Sequence, residues 1–579
     1  MKKKPVLSRL LKYTYVCRKY IIIGILSAVI SIAATLAGPR LVAIAIDQMI
    51  GMGAVNFSGI AKIIFYLAGT IAISSLFQWL LSESTNIIAY RTVKQLRIEI
   101  FAKFNRAPLK FIDSTPHGDM VNRTVNDIDQ ISDGLLQGFT QLFTGIATIV
   151  GTLIFMLSVD VVTALVVIIL TPLSIFTAFV IARLTHKMFR QQAVTQSELT
   201  SFVNEMVSNQ KIVKAFSHEN ENIKEFDKIN KQLYQCGVNA QFYSSLSNPS
   251  TRFVNSMVYA AVGVVGAIRV IGGSLTVGGI SCFLSYANQY TKPFNEISGV
   301  LTQLQSAFAS AQRVFEVLDT ENEPADKENA LSMPSARGNI SLENVSFSYD
   351  HSRPLLQNIS ANIKKGQKIA IVGPTGCGKT TLINLLLRFY DIDGGKISVD
   401  GIDIKDIKRD DLRALYAMVL QETWLQTGTI RENIIYGRPD ATEDEIIEAA
   451  KAAYVHGFVS RMKKGYDTVI SGEGSSLSQG QKQLLCIARA MLVGSPILIL
   501  DEATSNIDSR TEIKVQRAFE KLTEGKTSFI VAHRLSTIKE ANLILVMKDG
   551  NIIEQGTHND LLCKDTFYKK LYESQFSKA

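Results

Sequence analysis

Apolar residues dominate the first half of the chain in six runs, each long enough to cross ~30 Å of hydrocarbon as a helix. The runs lie near residues 20–46, 59–82, 137–158, 161–183, 252–272 and 277–298. Between them, the polar positions fall into three very short connections and two long ones. The pattern predicts an all-α membrane domain with six helical spans.

The two long connections, residues 83–136 and 184–251, have a helical pattern rather than a loop pattern. Both are poor in glycine and proline and read mostly as continuous amphipathic helix. At 1.5 Å per residue, such helices would extend ~25 Å or more beyond the bilayer. In the first connection Pro108, Pro116 and Gly118 interrupt the helix, which predicts a short cross-piece suited to a contact point.

Lysine and arginine are distributed unevenly over the connections. The short connections at 48–58, 159–160 and 273–276 contain neither residue, whereas the two long ones contain many. The positive-inside rule therefore places both termini and the long connections in the cytoplasm. The basic stretch before the first span resembles a signal peptide, but the apolar run is too long and lacks a cleavage pattern, so we interpret it as a retained anchor.

Composition agrees with a membrane protein and excludes other classes. Apolar residues make up 47% of the chain, and the formal net charge is +9. Because the excess charge lies on the connections predicted to be cytoplasmic, we expect a lipid bilayer as the partner and no nucleic acid. The six cysteines are scattered without C-x-x-C spacing, which is typical of reduced thiols and of neither a disulfide framework nor a zinc site.

The periodicity changes after about residue 318. Residues 320–329 are charged and lack apolar spacing, which predicts a linker over residues 319–338. From residue 339 to residue 579, short β-rich runs alternate with helical runs, as in an α/β nucleotide-binding domain. The sequence therefore predicts a multi-domain protein: a six-helix transmembrane domain over 1–318, the linker, and an α/β domain over 339–579. Residues 373–380 of the last domain match G-x-x-x-x-G-K-[ST], which predicts an α/β P-loop ATPase domain.

A complete phosphate-loop motif, G-x-x-x-x-G-K-[ST], follows the apolar strand that begins at Lys368. Its backbone N–H groups and the N-terminus of the next helix are suited to the phosphates of ATP, and the Lys379 ammonium neutralises their charge. The Thr380 hydroxyl can ligate Mg²⁺. The predicted ATP-binding residues of this region are Gly373, Pro374, Thr375, Gly376, Cys377, Gly378, Lys379, Thr380 and Thr381.

A second apolar strand, beginning at Ile497, ends in the two carboxylates Asp501 and Glu502. We assign Asp501 to the Mg²⁺ shell. Glu502, the next residue, is suited to face the γ-phosphate and to orient or deprotonate the attacking water as a general base.

The phosphate loop, the motif Leu477-Ser-Gln-Gly-Gln481 and the Asp-Glu pair, in this order, resemble the ABC ATPase domain. With six spans ahead of it, almost the whole chain is similar to a type IV, or exporter-fold, ABC half-transporter. The resemblance implies that Tyr349 stacks on adenine and that Gln421 reaches Mg²⁺ and the attacking water. It also implies that His533 is the switch histidine on the γ-phosphate and that Asp508 belongs to the D-loop across a dimer interface.

The resemblance also implies that one chain cannot complete an ATP site. In the family, the signature motif begins a helix, and the N-terminus of this helix contacts ATP that is bound to the phosphate loop of the opposite domain. The residues predicted to contact the partner's ATP are Leu477, Ser478, Gln479, Gly480, Gln481 and Asp508. Since this chain has one copy of each motif, we expect it to dimerise with a second half-transporter.

Departures from the family pattern favour a heterodimer, with a homodimer as the alternative. Gln479 stands where the family usually has glycine, and the D-loop reads Ser505-Asn-Ile-Asp508 where Ser-Ala-Leu-Asp is usual. The stretch 468–474 also departs from the usual pattern. This combination resembles the catalytically complete subunit of bacterial heterodimeric multidrug exporters, whereas neutral drift in a homodimer would produce the same substitutions.

The expected function is ATP-driven export of amphipathic, drug-like or lipid-like compounds across a bacterial cytoplasmic membrane by alternating access. The alternatives are a homodimeric lipid or glycolipid flippase, a peptide exporter, an ATP-gated regulator and a siderophore importer of exporter-like fold. Arg40 and Arg269 are candidate cargo contacts because ions within spans are uncommon, but both lie close enough to the outer interface to snorkel. The sequence does not identify the cargo.

Overall fold

A computed structural model describes the chain over most of its length, in two units. The first unit comprises Met1–Ala107 and Ser114–Asn322, and the second comprises Pro108–Asp113 and Glu323–Ala579. The described residues are 6–50, 55–350, 353–420, 423–471, 477–501, 508–531, 535–564 and 566–576.

Long helices build the first unit, and the predicted spans lie within them, except that the helix Ser247–Ile271 ends one residue before the predicted end of the fifth span at residue 272. The helices up to residue 318 are α1 (Val6–Tyr15), α2 (Arg18–Asp47), α3 (Phe57–Arg106), α4 (Leu109–Ser114), α5 (His117–Thr124), α6 (Asn126–Val159), α7 (Val161–Ser208), α8 (Gln210–Ala215), α9 (Glu219–Ser245), α10 (Ser247–Ile271) and α11 (Val277–Leu318). Within the described residues, four stretches are long and apolar enough to cross a membrane, namely Arg18–Asp47, Phe57–Arg106, His117–Val159 and Arg252–Ile271. The first apolar stretch of α7, Val161–Leu173, is shorter.

The three short connections between spans each end in a residue whose side chain caps the next helix. Asn56 accepts a hydrogen bond from the Gly59 N–H at the start of α3, and Thr276 caps α11. Asp160 alone separates α6 from α7, and its carboxylate accepts hydrogen bonds from the backbone N–H and the hydroxyl of Thr163. Such caps satisfy N–H groups that have no partner within the helix, so they fix where each span begins.

The helical excursions predicted for the long connections are confirmed. α3 continues unbroken to Arg106, and α7 extends to Ser208 before α8 and α9. The interruption predicted in the first connection occurs at Pro108 and Pro116, because proline lacks the N–H group that continuation of a helix requires. Gly118, however, lies inside α5 rather than in the break.

The segment Pro108–Asp113 belongs to the second unit, although the sequence places it in the membrane domain. Leu109 packs against the hydrophobic core of the second unit. The linker is also held there: the buried Arg409 donates to Asp326 at 2.9 Å, and Arg413 pairs with Glu323. The predicted boundaries 318/319 and 338/339 remain predictions.

A buried carboxylate joins α6 to α11 in the first unit. Asp127 is 2% exposed and accepts hydrogen bonds from the Arg313 guanidinium in a bidentate arrangement, with Nε 2.9 Å from Oδ2. The Ser310 hydroxyl lies 3.0 Å from the same guanidinium. Bidentate geometry combines charge with fixed direction, so this pair sets the register between the two helices.

The second unit contains two main sheets. The strands are β1 (Ile340–Phe347), β2 (Leu356–Ile363), β3 (Lys368–Val372), β4 (Gly394–Val399), β5 (Ile402–Asp403), β6 (Tyr416–Val419), β7 (Gly428–Thr429), β8 (Val469–Ile470), β9 (Ile497–Asp501), β10 (Thr527–Val531), β11 (Leu543–Lys548) and β12 (Asn551–Gly556). One sheet has the order β2-β1-β4-β5 and is antiparallel. The other has the order β12-β11-β3-β10-β9-β6, with parallel pairing from β11 to β6. The third, β7 with β8, is a short antiparallel pair.

Helices cover the parallel sheet, so its central strands are apolar on both faces. These helices and their neighbours are α12 (Lys379–Leu386), α13 (Arg409–Ala414), α14 (Ile430–Ile434), α15 (Glu443–Ala452), α16 (His456–Val459), α17 (Gln479–Val493), α18 (Ser509–Thr523), α19 (Leu535–Lys539), α20 (His558–Leu562) and α21 (Phe567–Phe576). In β9, Ile497 and Ile499 join the core that contains the antiparallel sheet and α12, whereas Leu498 and Leu500 join the core that contains α17. This alternation explains the continuous hydrophobic runs of the sequence.

We predict that Arg313→Met lowers the stability of the first unit by about 3 kcal/mol, because Asp127 would remain buried without its cation. Arg97→Met is the matched control: Arg97 also pairs with an aspartate in the first turn of α6, Asp129, but both side chains are exposed. Removing an exposed pair costs less than ~1 kcal/mol. Thermal unfolding of both variants in nanodiscs measures the difference, and equal losses would contradict the assignment.

Candidate nucleotide site

Four of the five parallel strands in the six-stranded sheet, β3, β10, β9 and β6, end at one edge, and each predicted catalytic motif follows one of these four. In the sheet Val531 at the end of β10 pairs with Asp501, and Leu500 pairs with Val419 at the end of β6. β3, on the other side of β10, leads into the phosphate loop at Gly373. The carboxyl edge of a parallel sheet is where such folds bind ligands.

Three predicted site residues, Gln421, Glu502 and His533, lie outside the described residues. The strands that lead to them are described: β6 ends at Val419 and β10 at Val531. Asp501 is the last residue of β9 and is partly buried. The roles predicted for Gln421, Glu502 and His533 therefore remain predictions, because they rest on motifs that follow neighbouring strands.

The backbone of the phosphate loop requires glycine at three positions, and Gly373 is one of them because an added Cβ would lie 2.2 Å from the Met547 carbonyl oxygen. Gly376 and Gly378 have φ values of +83° and +99°, which side chains rarely adopt. A Cβ at Gly378 would also lie 2.5 Å from Leu356 Cδ2. Gly378 is the N-cap of α12, so the turn directs the start of this helix toward the loop. The Lys379 Nζ donates to the carbonyls of Gly373 at 2.8 Å and Pro374 at 3.0 Å, which places its charge across the loop.

The other residues of the loop divide between core and surface. Cys377 is 4% exposed and belongs to the hydrophobic core of the second unit, so its side chain packs and only its backbone can serve a phosphate. Thr381 is buried as well. Pro374, Thr375 and Thr380 are exposed, and the Thr380 hydroxyl is therefore in a position that a metal ion can reach.

Tyr349 lies beside the phosphate-loop helix, as the resemblance requires. Its hydroxyl is 3.3 Å from Thr381 Oγ1, and 41% of the residue is exposed. Two aromatic rings support it edge-on: the centroid of Phe347 lies at 4.9 Å and that of Tyr390 at 5.0 Å. An exposed ring held by packed rings is suited to stacking on a purine.

Tyr390 was not predicted from the sequence, yet it links this aromatic cluster to Pro108–Asp113. Its ring is almost fully buried, and its hydroxyl donates a hydrogen bond to the Asp113 carboxylate. Burial and this hydrogen bond raise the pKa of Tyr390, so it remains a donor at any physiological pH. No motif signals such a contact, because the two residues are far apart in sequence.

The predicted signature motif begins a helix, as expected. Ser478 is the N-cap of α17 and accepts from the Gln481 N–H, while the Gln481 side chain accepts from the Ser478 N–H at 2.9 Å. Gly480 and Leu477 are buried. The reciprocal cap fixes the backbone N–H groups at this helix start.

Side chains of α17 also hold the stretch that follows β6. Gln479 Nε2 donates to Thr423 Oγ1 at 3.2 Å. Arg489 lies over the rings of Trp424 and Tyr436 and donates to the Asn433 carbonyl at 2.9 Å. Burial lowers the pKa of Arg489. Gln479, which departs from the family pattern, therefore makes a local contact that the sequence did not indicate.

Asp508 caps α18 with its side chain. It accepts from the Thr511 N–H at 2.9 Å, and this backbone hydrogen bond lowers the pKa of the Asp508 carboxyl. The cap gives Asp508 a structural role, and its predicted contact with a partner remains a prediction.

Comparisons with known proteins agree with this geometry. The family profile "ABC transporter transmembrane region" matches residues 21–294, and the profile "ABC transporter" matches residues 356–505. The chain is 41% identical over 517 residues to "Fatty acid ABC transporter ATP-binding/permease protein" of Mycobacterium bovis, covering 89% of this chain and 82% of the relative. It is 36% identical to "ATP-dependent lipid A-core flippase" of Syntrophus aciditrophicus, covering 85% and 82%. A solved bacterial Atm1-family ABC exporter with ATP bound has a TM-score of 0.78 at 27% identity, covering 97% of this chain and 99% of that one.

We predict that Gly378→Ala weakens ATP binding at least ~10-fold, because the left-handed backbone and the contact with Leu356 both resist a Cβ. Gly401→Ala is the control, since Gly401 has φ +86° but open space around it and lies outside the phosphate loop. Nucleotide affinity measured by fluorescence titration should change only for Gly378→Ala. Equal affinities of the two variants would refute the assignment of Gly378.

We predict that Tyr390→Phe loosens the segment Leu109–Ser114 while the ATPase core stays folded, because only the hydrogen bond to Asp113 is lost. Hydrogen–deuterium exchange of this segment should accelerate about tenfold, the factor expected for one charged hydrogen bond. Tyr466→Phe, which removes a hydroxyl contact to His456, is the control and should leave the segment unchanged.

Proposed function

The chain belongs to the ABC transporters, as a multi-pass exporter whose transport is coupled to ATP hydrolysis, and we propose that its cargo is amphipathic and drug-like or lipid-like. The observation that carries the ATP-driven function is the shared edge of β3, β10, β9 and β6, because the phosphate loop and the motifs of His533, Asp501 and Gln421 each follow one of these parallel strands. We place the protein in the cytoplasmic membrane of a bacterium, with both termini and the ATPase domain inside.

The residues at this edge fit ATP with Mg²⁺. The phosphate loop and Lys379 would hold the phosphates, and Tyr349 would stack on the adenine. Thr380, Gln421 and Asp501 would hold Mg²⁺, which supplies charge neutralisation between the phosphates. Glu502 would act as the general base for water, and His533 would donate to the γ-phosphate.

We propose that two half-transporters form the working unit. The phosphate loop and the signature serine Ser478 begin different helices, α12 and α17, and in this family the two act on one ATP only across a dimer. Exposed hydrophobic side chains also support an assembly. In the ATPase unit Leu420, Trp424 and Tyr436 are about half exposed, and on α8 and just after it Ile212 and Phe216 are more exposed still. Apolar clusters of this kind usually mark interfaces.

The partner is proposed to be a different half-transporter. Gln479 and the unusual D-loop before Asp508 resemble the catalytically complete subunit of heterodimeric exporters. In that arrangement this chain supplies Lys379, Glu502 and His533 to the hydrolysing site, and its signature covers the partner's site. The homodimer is the alternative.

Lipid-like cargo is supported by the names of two relatives, a fatty acid transporter and a lipid A-core flippase. A flippase for lipids or glycolipids therefore stays open as the second candidate. The peptide exporter, the ATP-gated regulator and the siderophore importer have no such support.

The test is Mg²⁺-dependent ATPase activity in nanodiscs. We predict that Glu502→Gln lowers turnover at least ~100-fold, because the general base is lost while the charge-neutral amide keeps the shape of the side chain. Glu524→Gln, an exposed carboxylate at the end of α18, should retain full activity. Retained turnover in Glu502→Gln would overturn the proposed catalytic role.

The same assay on this chain expressed alone tests the partner. The heterodimer predicts little turnover until the second half-transporter is added. Robust turnover by a particle that contains two copies of this chain, lost in Glu502→Gln, would establish the homodimer instead.

A further inference from the structure

We propose that a cavity between α2, α3 and α6 binds a single-chain amphiphilic carboxylate, of the fatty-acid class, with its carboxylate on Arg40. The proposal rests on the proposed export function, because it names the substrate class for it. The cavity has a volume of about 440 Å³. It is lined by residues of α2 between Ala37 and Ile44, by residues of α3 between Phe65 and Ile73, and by Phe155 of α6.

Arg40 differs from the other candidate arginine of the spans. Arg269 donates to Asp160 at 2.7 Å, and Asp160 is 8% exposed and also caps α7, so Arg269 is explained as half of a structural ion pair. Arg40 forms no ion pair with a carboxylate in the part of the chain that the structure describes, and it lies in the wall of the cavity. An ionisable residue of a span that has no carboxylate partner among the described residues is a candidate contact for a ligand of opposite charge.

The position of Arg40 suits an anionic headgroup. It lies seven residues before the end of α2 at Asp47, which corresponds to about 10 Å along the helix. A guanidinium donates two parallel hydrogen bonds to a carboxylate, and hydrogen bonds between charged groups are stronger than those between neutral groups. A phosphate monoester carries more charge and more oxygen atoms, which the single cation of this lining does not match.

The remaining wall suits an alkyl chain. Apart from Arg40, Tyr66 and Thr70 the lining side chains are apolar, and the Thr70 hydroxyl is already bonded to the Leu67 carbonyl at 2.8 Å. A Cβ placed on Gly69 would meet nothing within 4 Å, so the helix surface is open there. Apolar walls with one placed charge are typical of sites for small amphiphiles, and each buried methylene should raise affinity about fourfold.

The test uses palmitate that carries a photoactivatable diazirine in its chain, with the carboxylate free, on the full chain in nanodiscs. Mass spectrometry should locate the label on peptides that contain residues 37–44 and 65–73. We predict that Arg40→Met lowers the labelling about tenfold, as expected for loss of a charged hydrogen bond. Arg40→Lys should retain part of the labelling, and the methyl ester of the probe should label wild type and Arg40→Met equally.

A second variant tests the chain-binding wall without removing the charge. Gly69→Leu places a side chain in open space and should also lower the labelling about tenfold. Two controls match these changes and should label as wild type does. Lys62→Gln removes a charge near the start of α3, outside the cavity lining, and Gly263→Leu fills an open helix surface on α10.

Equal labelling of wild type and Arg40→Met by the free acid would overturn the proposal. So would stronger competition by lysophosphatidic acid than by palmitate, which would assign the site to phosphate lipids. Absence of label in the assembled particle would mean that a protein chain covers the cavity and would also overturn it. Labelling needs no ATP, so it fails or succeeds separately from the ATPase assay. Arg40-dependent labelling without coupled turnover would leave the site intact and reject the export function.

Discussion

Parallel pairing of β3, β10, β9 and β6 is the constraint on which the nucleotide site depends. Because these strands run in one direction and in register, their carboxyl ends meet at one edge, and the phosphate loop and Asp501 follow strands that are separated only by β10. The pairing requires both faces of the strands to be buried. α12 and the antiparallel sheet cover one face, and α17 covers the other. A site built on strand ends inherits the rigidity of the core beneath it.

In the first unit, both carboxylates that are buried among the described residues have an arginine as partner. Asp127 is buried with Arg313, and Asp160 is buried with Arg269 while also capping α7, so each carboxylate has a cation and a structural purpose. Burying a charge is tolerated only when such partners are present. Arg40 is exposed rather than buried, forms no ion pair among the described residues, and lies in the wall of a mostly apolar cavity.

Short segments that belong to one domain by sequence are integrated into the other. Residues 108–113 pack on the ATPase unit through Leu109 and through the hydrogen bond from Tyr390 to Asp113. Tyr390 also supports Tyr349, the ring proposed to stack on adenine. One buried tyrosine therefore contacts both Tyr349 and the segment that interrupts the long helices, which gives nucleotide binding at the proposed site a direct physical route to that segment.

The sequence by itself determined the spans, the long helical excursions and the order of the ATP motifs, since these follow from local periodicity and from backbone requirements such as those of Gly376 and Gly378. It also predicted the helix that begins at Ser478. Only the tertiary structure decided which residues meet across the chain: Tyr390 with Asp113, Arg489 with Trp424, and Arg269 with Asp160. Such contacts depend on how distant elements pack, and no local pattern encodes the distance between them. For the same reason, the sequence did not distinguish Arg269 from Arg40. In the fold Arg269 pairs with Asp160, whereas Arg40 lines a cavity.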